Sequence, residues 1–187
     1  MKENVWNDKN LIEVLENNGV VIMPTDTIYG IVGKARSENT VKRIYEIRGR
    51  NPQKPCIILI GDIKELEKFL IILSEKQKQM LEIYWPGPVS IVFNCLDDKF
   101  TYLHRGTKTL AFRLPAQAGL RKLLLKTGPL IAPSANKETF PPHETAEGAK
   151  KYFGDSIDLY IDGGEIKGKA SKVIRLHNNG SVTVLRE

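Results

Sequence analysis

The sequence has few of the residues that build metal centres and disulfide frameworks. Its 187 residues include only two cysteines and three histidines. Cys56 and Cys95 each lie inside an apolar, strand-like run, so we expect reduced core residues rather than a disulfide or a nucleophile. The histidines, at positions 104, 143 and 177, lack the spacing of metal ligands, so a structural metal site is not expected.

Long apolar runs are missing as well. No run approaches the roughly 20 apolar residues of a membrane span, and residues 1–8 lack the apolar segment of a secretory signal. We therefore expect a cytoplasmic chain without a membrane partner. A chain of 187 residues, 41% hydrophobic and 27% charged, is typical of one folded domain, which we place over residues 1–187.

Acidic residues are too few to balance the basic ones. They number 22 against 28, which gives a net charge of +6. Between residues 34 and 54 only Glu38 and Glu46 oppose seven cations, which are Lys34, Arg36, Lys42, Arg43, Arg48, Arg50 and Lys54. Such a segment attracts the phosphates of a nucleotide or of a nucleic acid. The alternative is a solvated helix face, which is what most charge runs are.

One stretch combines an apolar run with clustered small polar side chains. Val20–Met23 is typical of a buried strand, and Pro24 ends it because proline has no amide proton to donate. The polar run Thr25–Thr27 follows, and then Gly30 and Gly33, where a backbone can approach a ligand closely. The stretch is either a ligand site at a strand end or a hydroxyl-rich turn without a ligand.

Helical and strand-like patterns alternate along the chain. The predicted helices cover 7–18, 37–47, 62–70, 74–84 and 116–126, with one more starting within 141–145 after two prolines. The predicted strands cover 20–23, 55–60, 89–93, 109–115, 157–161, 172–176 and 182–185, with a short one between Gly128 and Pro133. Residues 97–106 are expected to form a surface loop. This order favours an α/β or mixed α+β sheet with packed helices, in which 55–60 is a central strand.

Three cations follow the second predicted helix. Gly49 is expected to end that helix, which leaves Arg48, Arg50 and Lys54 in a loop and free to reach a ligand. Arg113 differs from them because it lies within an apolar strand. A buried charge needs an anionic partner, and the pattern alone favours a carboxylate of the protein over a ligand.

The segment Pro133–Asn136 repeats the design of the first stretch, with a short apolar strand, a proline and small polar side chains. The two polar loops are therefore expected to line one crevice. Trp85, just before Pro86-Gly87-Pro88, is expected to be a packing residue.

Taken together, these motifs resemble the YrdC/TsaC family. The resemblance covers nearly the whole chain, through Ser171 and Arg186. Its motifs are Pro24-Thr25-Asp26-Thr27-Ile28-Tyr29-Gly30, Arg48-Gly49-Arg50 with Lys54-Pro55, Trp85-Pro86-Gly87-Pro88, Arg113-Leu114-Pro115 and Pro133-Ser134-Ala135-Asn136. The combination in this order is specific, whereas any single piece is weak. It implies a twisted, open mixed sheet with flanking helices, of the short single-domain type.

The resemblance also implies an activity. Family members are L-threonylcarbamoyladenylate synthases, which use L-threonine, bicarbonate and ATP and release pyrophosphate. The product serves the threonylcarbamoyladenosine modification of tRNA, through a threonylcarbamoyl-transfer complex. Mg²⁺ would arrive with ATP, and direct RNA binding is a further possibility.

Roles for individual residues follow from the same resemblance. Arg48 and Arg50 would be catalytic. Thr27, Arg113 and Ser171 would bind L-threonine, so that the anion facing Arg113 becomes the substrate carboxylate. The residues implied for ATP are Arg50, Lys54, Thr109, Ser134, Asn136, Thr145 and Arg186.

The chain departs from the family pattern at two places. Arg48 stands where the family usually has lysine, and Lys137-Glu138-Thr139 replaces the small residue and glycine that many members have after the serine–asparagine motif. Because of the second departure, Glu144 is an alternative to Thr145 as the side chain that faces the site.

Two other functions are compatible with parts of the sequence. A non-catalytic module for double-stranded RNA would use the basic segment, but aromatic residues are only 7% and none interleave with the basic run. A carbamoyl-adenylate enzyme like the related domain of hydrogenase-maturation proteins would come with zinc-finger-like cysteine pairs, which this sequence lacks.

Overall fold

A computed structural model describes residues 5–187 of the chain. Within these residues, nine strands form one mixed sheet in the order β7-β1-β2-β6-β3-β5-β4-β8-β9. The strands are β1 Val21–Pro24, β2 Tyr29–Lys34, β3 Ile57–Leu59, β4 Val89–Asn94, β5 Thr109–Arg113, β6 Leu130–Ile131, β7 Leu159–Tyr160, β8 Lys172–Leu176 and β9 Val182–Arg186. β3 is the middle strand, which confirms the prediction for 55–60.

Six α-helices flank the sheet in the described part of the chain. They are α1 Lys9–Glu16, α2 Glu38–Arg48, α3 Glu75–Tyr84, α4 Thr101–His104, α5 Ala118–Thr127 and α6 Ala146–Phe153, and there are also 3-10 helices such as Ile63–Phe69. Local capping explains several starts: the side chains of Asp8, Ser37 and Ser74 each accept a hydrogen bond from a backbone amide in the first helical turn. Of the helices that residues 5–187 form, none has the length and apolar character needed to cross a membrane.

The sheet has a hydrophobic core on each face, because successive side chains of a strand point to opposite sides. On β1, Ile22 belongs to the larger core, while Val21 and Met23 belong to the smaller one. Helices α1 and α5 cover the smaller core, and α2, α3 and α6 cover the larger. Cys56 and Cys95 are buried free thiols, as expected, and Trp85 packs against Phe93.

The structure corrects the interpretation of the first polar stretch. Residues 29–34, for which the sequence predicted no strand, form strand β2, which pairs antiparallel with β1 from Val21–Val32 to Pro24–Tyr29. Gly33 allows α2 to pack closely on β2, because a Cβ on Gly33 would lie 2.4 Å from a methyl group of Thr40. Residues 25–28 are therefore a hairpin turn that links β1, which is parallel to β7, with the antiparallel strand β2.

Two further expectations were wrong. Residues 97–106 are not a surface loop: they contain a 3-10 turn and α4, and they bury Phe100, Leu103 and His104. The prolines at 141 and 142 do not open the last helix either. That helix begins at Ala146, and the Thr145 hydroxyl accepts a hydrogen bond from the Gly148 amide as its cap.

Candidate active site

The hairpin turn after β1 has its own hydrogen-bond network. The buried Thr25 hydroxyl donates to the Ile28 carbonyl at 2.6 Å and accepts from the Thr27 amide at 3.3 Å. The Trp6 indole donates to the Pro24 carbonyl at 2.9 Å and fixes the end of β1. This network holds the Thr27 hydroxyl at the wall of a cavity.

The serine–asparagine segment lies directly beside this hairpin. The Ile31 amide donates to the Pro133 carbonyl, and the Ala135 amide donates to the Tyr29 carbonyl, both at 2.9 Å. Gly30 and Ser134 form an isolated antiparallel bridge. The prediction that the two polar loops line one crevice is confirmed.

That crevice is a cavity of about 330 Å³ over one face of the sheet. Its volume lies at the lower end of the about 300–1,000 Å³ usual for ligand pockets. Seven of the residues implied by the family resemblance line it: Thr27, Arg50, Thr109, Arg113, Ser134, Ser171 and Arg186. All three residues implied for L-threonine are among them.

Arg113, on β5, has a partner within the protein. Its Nε and Nη2 donate to Asp26 Oδ1 at 3.1 and 2.8 Å, and the two side chains are 4% and 2% exposed. The interpretation from the strand pattern, a carboxylate of the protein, is therefore confirmed. Because Arg113 also lines the cavity, the pair fixes a guanidinium at the hairpin end of the site.

Ser171, also in the cavity lining, joins two strands. Its hydroxyl lies 2.8 Å from that of Ser90 on β4, and its carbonyl accepts from Nε and Nη2 of Arg186 at 3.1 and 2.7 Å. Sequence reasoning did not single out Ser90. The feature that could have identified Ser90 is its hydroxyl inside the apolar run 89–93, because a buried polar group needs a hydrogen-bond partner.

The segment that leads to Ser171 packs over the hairpin turn. A Cβ on Gly168 would lie 1.9 Å from the Thr27 carbonyl oxygen, so only glycine fits there. The Tyr29 hydroxyl further accepts from the Gly163 amide at 2.8 Å. The sequence analysis did not predict that this segment covers the hairpin turn. The glycines at positions 163, 164 and 168 were the sequence feature that could have indicated it.

Arg50 lies in the loop after α2; we call residues 48–55, which are the last residue of α2 and this loop, the arginine loop. Its guanidinium donates to the carbonyls of Lys54 and Pro55 at 3.1 and 3.0 Å. The Tyr45 hydroxyl donates to the same Lys54 carbonyl at 2.8 Å. The loop thus wraps around Arg50 and holds it against the cavity.

Arg48 is placed differently from what the sequence suggested. It is the last residue of α2, with Gly49 in the left-handed conformation after it, and it is buried. Its Nε donates to the Asn136 carbonyl at 2.9 Å, and its Nη2 lies 3.2 Å from the Ser134 hydroxyl. Burial lowers the pKa of the Arg48 guanidinium, and the charge of Arg50 adds to this. Arg48 is therefore not a free loop cation: it ties α2 to the serine–asparagine segment.

Three other residues implied for ATP lie outside the cavity lining. Lys54 pairs with Glu138 at 2.8 Å. The buried Asn136 holds Arg48 and donates to the carbonyls of residues 137 and 140. Thr145 caps α6, and the alternative Glu144 does not line the cavity either.

The cavity carries positive charge. Arg50, Arg113 and Arg186 line it, and among the residues that the structure describes no aspartate or glutamate does. Burial lowers the pKa of the Arg186 guanidinium, and the charges of Arg113 and Arg50 lower it further. A site that crowds cations in this way is stabilised by an anionic ligand.

The basic segment 34–54 does not form one open surface. Lys34 donates to the Glu16 carbonyl, Arg43 pairs with Asp158 at 2.6 Å, and Arg48 is buried. Of its seven cations, these three and Lys54 make contacts within the protein, Arg50 lines the cavity, and Arg36 and Lys42 are exposed.

Relatives of this chain among known proteins share one name. The threonylcarbamoyl-AMP synthase of Pyrococcus abyssi is 33% identical over 173 residues, 91% of this chain and 51% of that protein. The Bacillus subtilis protein of the same name is 34% identical over 153 residues, 81% of this chain and 44% of that protein. The crystal structure of P. abyssi Sua5 complexed with L-threonine matches with a TM-score of 0.85 at 31% identity, over 97% of this chain and 54% of that one.

The chain spans about half the length of these relatives. A family model named Sua5_yciO_yrdC, described as telomere recombination, matches residues 13–187. The mixed open sheet is the one found in the P. abyssi structure, so the fold expected from the motifs is confirmed. Because the family match extends over nearly the whole chain, this protein belongs to the Sua5/YciO/YrdC family.

Proposed function

We propose that this chain makes threonylcarbamoyl-AMP and pyrophosphate from L-threonine, bicarbonate and ATP. The observation that carries the proposal is the single cavity in which hydroxyls of Thr27, Ser134 and Ser171 face three arginines. An amino acid with a carboxylate and a nucleotide with a triphosphate are both anions that such a cavity favours. The relatives named threonylcarbamoyl-AMP synthase support the same reaction.

The hairpin end of the cavity is the proposed threonine site. Thr27 and Ser171 offer hydroxyls there, and Arg113 offers a guanidinium that Asp26 already orients. A carboxylate on Arg113 would form the charge-assisted hydrogen bonds that this pair of groups favours. The complex of P. abyssi Sua5 with L-threonine supports an amino acid site in a domain of this fold.

The other part of the cavity lining, which we call the nucleotide end, is the proposed nucleotide site. Arg50, Thr109, Ser134 and Arg186 line it. We propose that Arg50 stabilises the triphosphate, and that Arg48 acts as a positioning residue through its hydrogen bond to Ser134. For Lys54, Asn136 and Thr145 a role in ATP binding stays a prediction.

The proposed reaction needs little general acid–base catalysis by the protein. The threonine nitrogen attacks bicarbonate to give a carbamate and water. A carbamate oxygen then attacks the α-phosphorus of ATP, so that an O–P bond forms while the bond to pyrophosphate breaks and pyrophosphate takes the electron pair. Alignment of the reactants and cationic stabilisation of the leaving group therefore supply the catalysis.

Magnesium enters this scheme as part of MgATP, hence as substrate. Since no carboxylate lines the cavity within residues 5–187, the metal would be held by phosphate oxygens and water. The proposed setting is the cytoplasm, with the chain acting as one domain over residues 1–187. The product would pass to a threonylcarbamoyl-transfer complex that acts on tRNA.

The test is pyrophosphate release by the purified protein, with mass spectrometry for the acyl-adenylate. Release must require both L-threonine and bicarbonate, and an adenylate must appear whose mass includes both. Release without threonine contradicts the proposal. Carbamoyl phosphate replacing threonine plus bicarbonate would favour the carbamoyl-adenylate alternative, and tight, salt-sensitive RNA binding without ATP affinity would favour the RNA-binding module.

A further inference from the structure

Glu138 contacts the arginine loop at three points, although it is 90 residues from the start of that loop. Its backbone amide donates to the Arg48 carbonyl at 3.0 Å. One carboxylate oxygen accepts from the Asn51 amide, and the other accepts from the Lys54 ammonium at 2.8 Å. These contacts lie near the first, middle and last parts of the loop.

The same loop is what holds Arg50 at the cavity. The Arg50 guanidinium binds the carbonyls of Lys54 and Pro55, and the Lys54 amide closes a turn on the Asn51 carbonyl at 3.1 Å. A change in the path of residues 51–54 would therefore move the carbonyls that orient Arg50.

Glu138 also belongs to the segment that carries Ser134. Asn136, two residues earlier, binds Arg48 through its carbonyl and its side-chain oxygen. The side chain of Glu138 is 21% exposed, against 60% for Lys54, so the carboxylate is the more buried member of the pair. The arginine loop and the serine–asparagine segment are thus fastened to each other at the nucleotide end.

We propose that Glu138 is a positioning residue that fixes the arginine loop, through the Asn51 amide and Lys54, in the shape that binds nucleotide phosphates. Glu138 does not touch the cavity itself. It acts by keeping Arg50 and Ser134 at a fixed separation, which spares the ligand the entropy of ordering the loop. This inference rests on the proposed function for its ligand, and on the described contacts for its mechanism.

The main experiment compares MgATP binding by calorimetry in the wild type, Glu138→Ala and Glu138→Gln. Alanine removes both carboxylate contacts, so we expect the Kd for MgATP to rise about three- to tenfold, with kcat changed less than KM. Glutamine keeps one oxygen for the Asn51 amide and should recover most of the affinity. An unchanged or tighter Kd in Glu138→Ala overturns the proposal.

A Lys54→Gln background separates the two contacts of the carboxylate. If Glu138 shapes the loop through the Asn51 amide, Glu138→Ala still weakens MgATP binding in that background. If Glu138 only neutralises Lys54, Glu138→Ala does not change the Kd for MgATP in the Lys54→Gln background, and the proposed role in fixing the loop is wrong. Glu147→Ala is the matched control, because it breaks an exposed Lys–Glu pair of the same kind on α6 and should leave binding unchanged.

Amide hydrogen exchange tests the contact without any ligand. We expect the Asn51 amide to exchange about three- to tenfold faster in Glu138→Ala than in the wild type, because it loses its acceptor. An unchanged rate overturns the inference even if the protein is a synthase. Faster exchange in a protein that neither binds MgATP nor releases pyrophosphate would instead count against the proposed function.

Discussion

The two ends of the cavity use arginine in opposite ways. At the hairpin end Arg113 is buried and shares an oxygen of the buried Asp26. At the nucleotide end Arg50 donates to two backbone carbonyls in a partly exposed loop. Arg113 is thus buried inside the fold, whereas Arg50 belongs to a loop at its surface. We therefore expect the surroundings of each arginine, and not its residue type, to decide whether its loss destabilises the fold or lowers only the activity.

The largest effect is expected for Arg113→Ala. It leaves the Asp26 carboxylate buried without its counter-ion, and such a charge costs about 3–5 kcal/mol of the free energy of unfolding. Turnover should fall with it, because the proposed carboxylate site is lost. Denaturant unfolding followed by the pyrophosphate assay measures both quantities.

The double variant Arg113→Ala with Asp26→Ala tests the cause. It should recover much of the lost stability and none of the activity, because no buried charge then remains unpaired. If Arg113→Ala alone unfolds no more easily than the wild type, the two ends of the cavity do not differ as described.

Arg50→Ala should show the reverse pattern. Loss of a preorganised cation at the triphosphate is expected to lower kcat/KM about 100- to 1,000-fold. The free energy of unfolding should change by less than about 1.5 kcal/mol, because only hydrogen bonds in an exposed loop are lost. Thermal unfolding with and without MgATP checks this, and a variant that does not fold would show that Arg50 is structural.

Ser134→Ala lies between the two cases. The serine hydroxyl lines the cavity and also accepts from the Arg48 guanidinium. We expect MgATP binding to weaken by about 0.5–3 kcal/mol, the range from an ordinary to a charge-assisted hydrogen bond. Calorimetry measures it, and an unchanged Kd for MgATP contradicts the place of Ser134 in the nucleotide site.

The smallest effect is expected for an exposed arginine–aspartate pair, Arg43 with Asp158, whose side chains are 39% and 36% exposed. The Arg43 hydrogen bond holds the pKa of the Asp158 carboxyl below its usual value. The pair therefore adds stability above the unfolded-state pKa of about 3.9, and this is lost as pH falls through the lower folded-state pKa. Because of solvent screening, Arg43→Ala should cost less than about 1 kcal/mol at pH 7.

Urea unfolding of the wild type and Arg43→Ala at pH 7 and pH 3 measures this contribution. The difference between the two proteins should shrink in acid. A difference as large as that for Arg113→Ala would mean that burial does not separate the two pairs.

Where local rules decide structure, the sequence was sufficient. Ser37 and Gly49 bracket α2, and Ser74 begins α3, within a residue or two of the predicted ends. The run 55–60 has no polar face, which is why it was expected, and found, in the middle of the sheet. The motif set was also enough to indicate the family.

The wrong or missing predictions, for β2 and for residues 97–106, have one cause: these segments take their structure from the elements that pack on them. Strand β2 carries Gly30 and Gly33, which lower strand propensity, and only the packing of Thr40 and Pro133 against it explains them. Phe100, Leu103 and His104 lie among polar residues, so their burial depends on the elements that cover them.

The sequence by itself determined which residue types are available at the site and the order in which they occur. Tertiary structure alone decided which of them face the cavity. Arg48 contacts Asn136, which is 88 positions away, and Arg113 contacts Asp26, which is 87 positions away, because the fold brings these segments together. The physical reason is that a buried charge needs a polar or oppositely charged partner, and the fold supplies that partner from a distant part of the chain. Contacts between residues so far apart in sequence leave no periodic pattern in the chain.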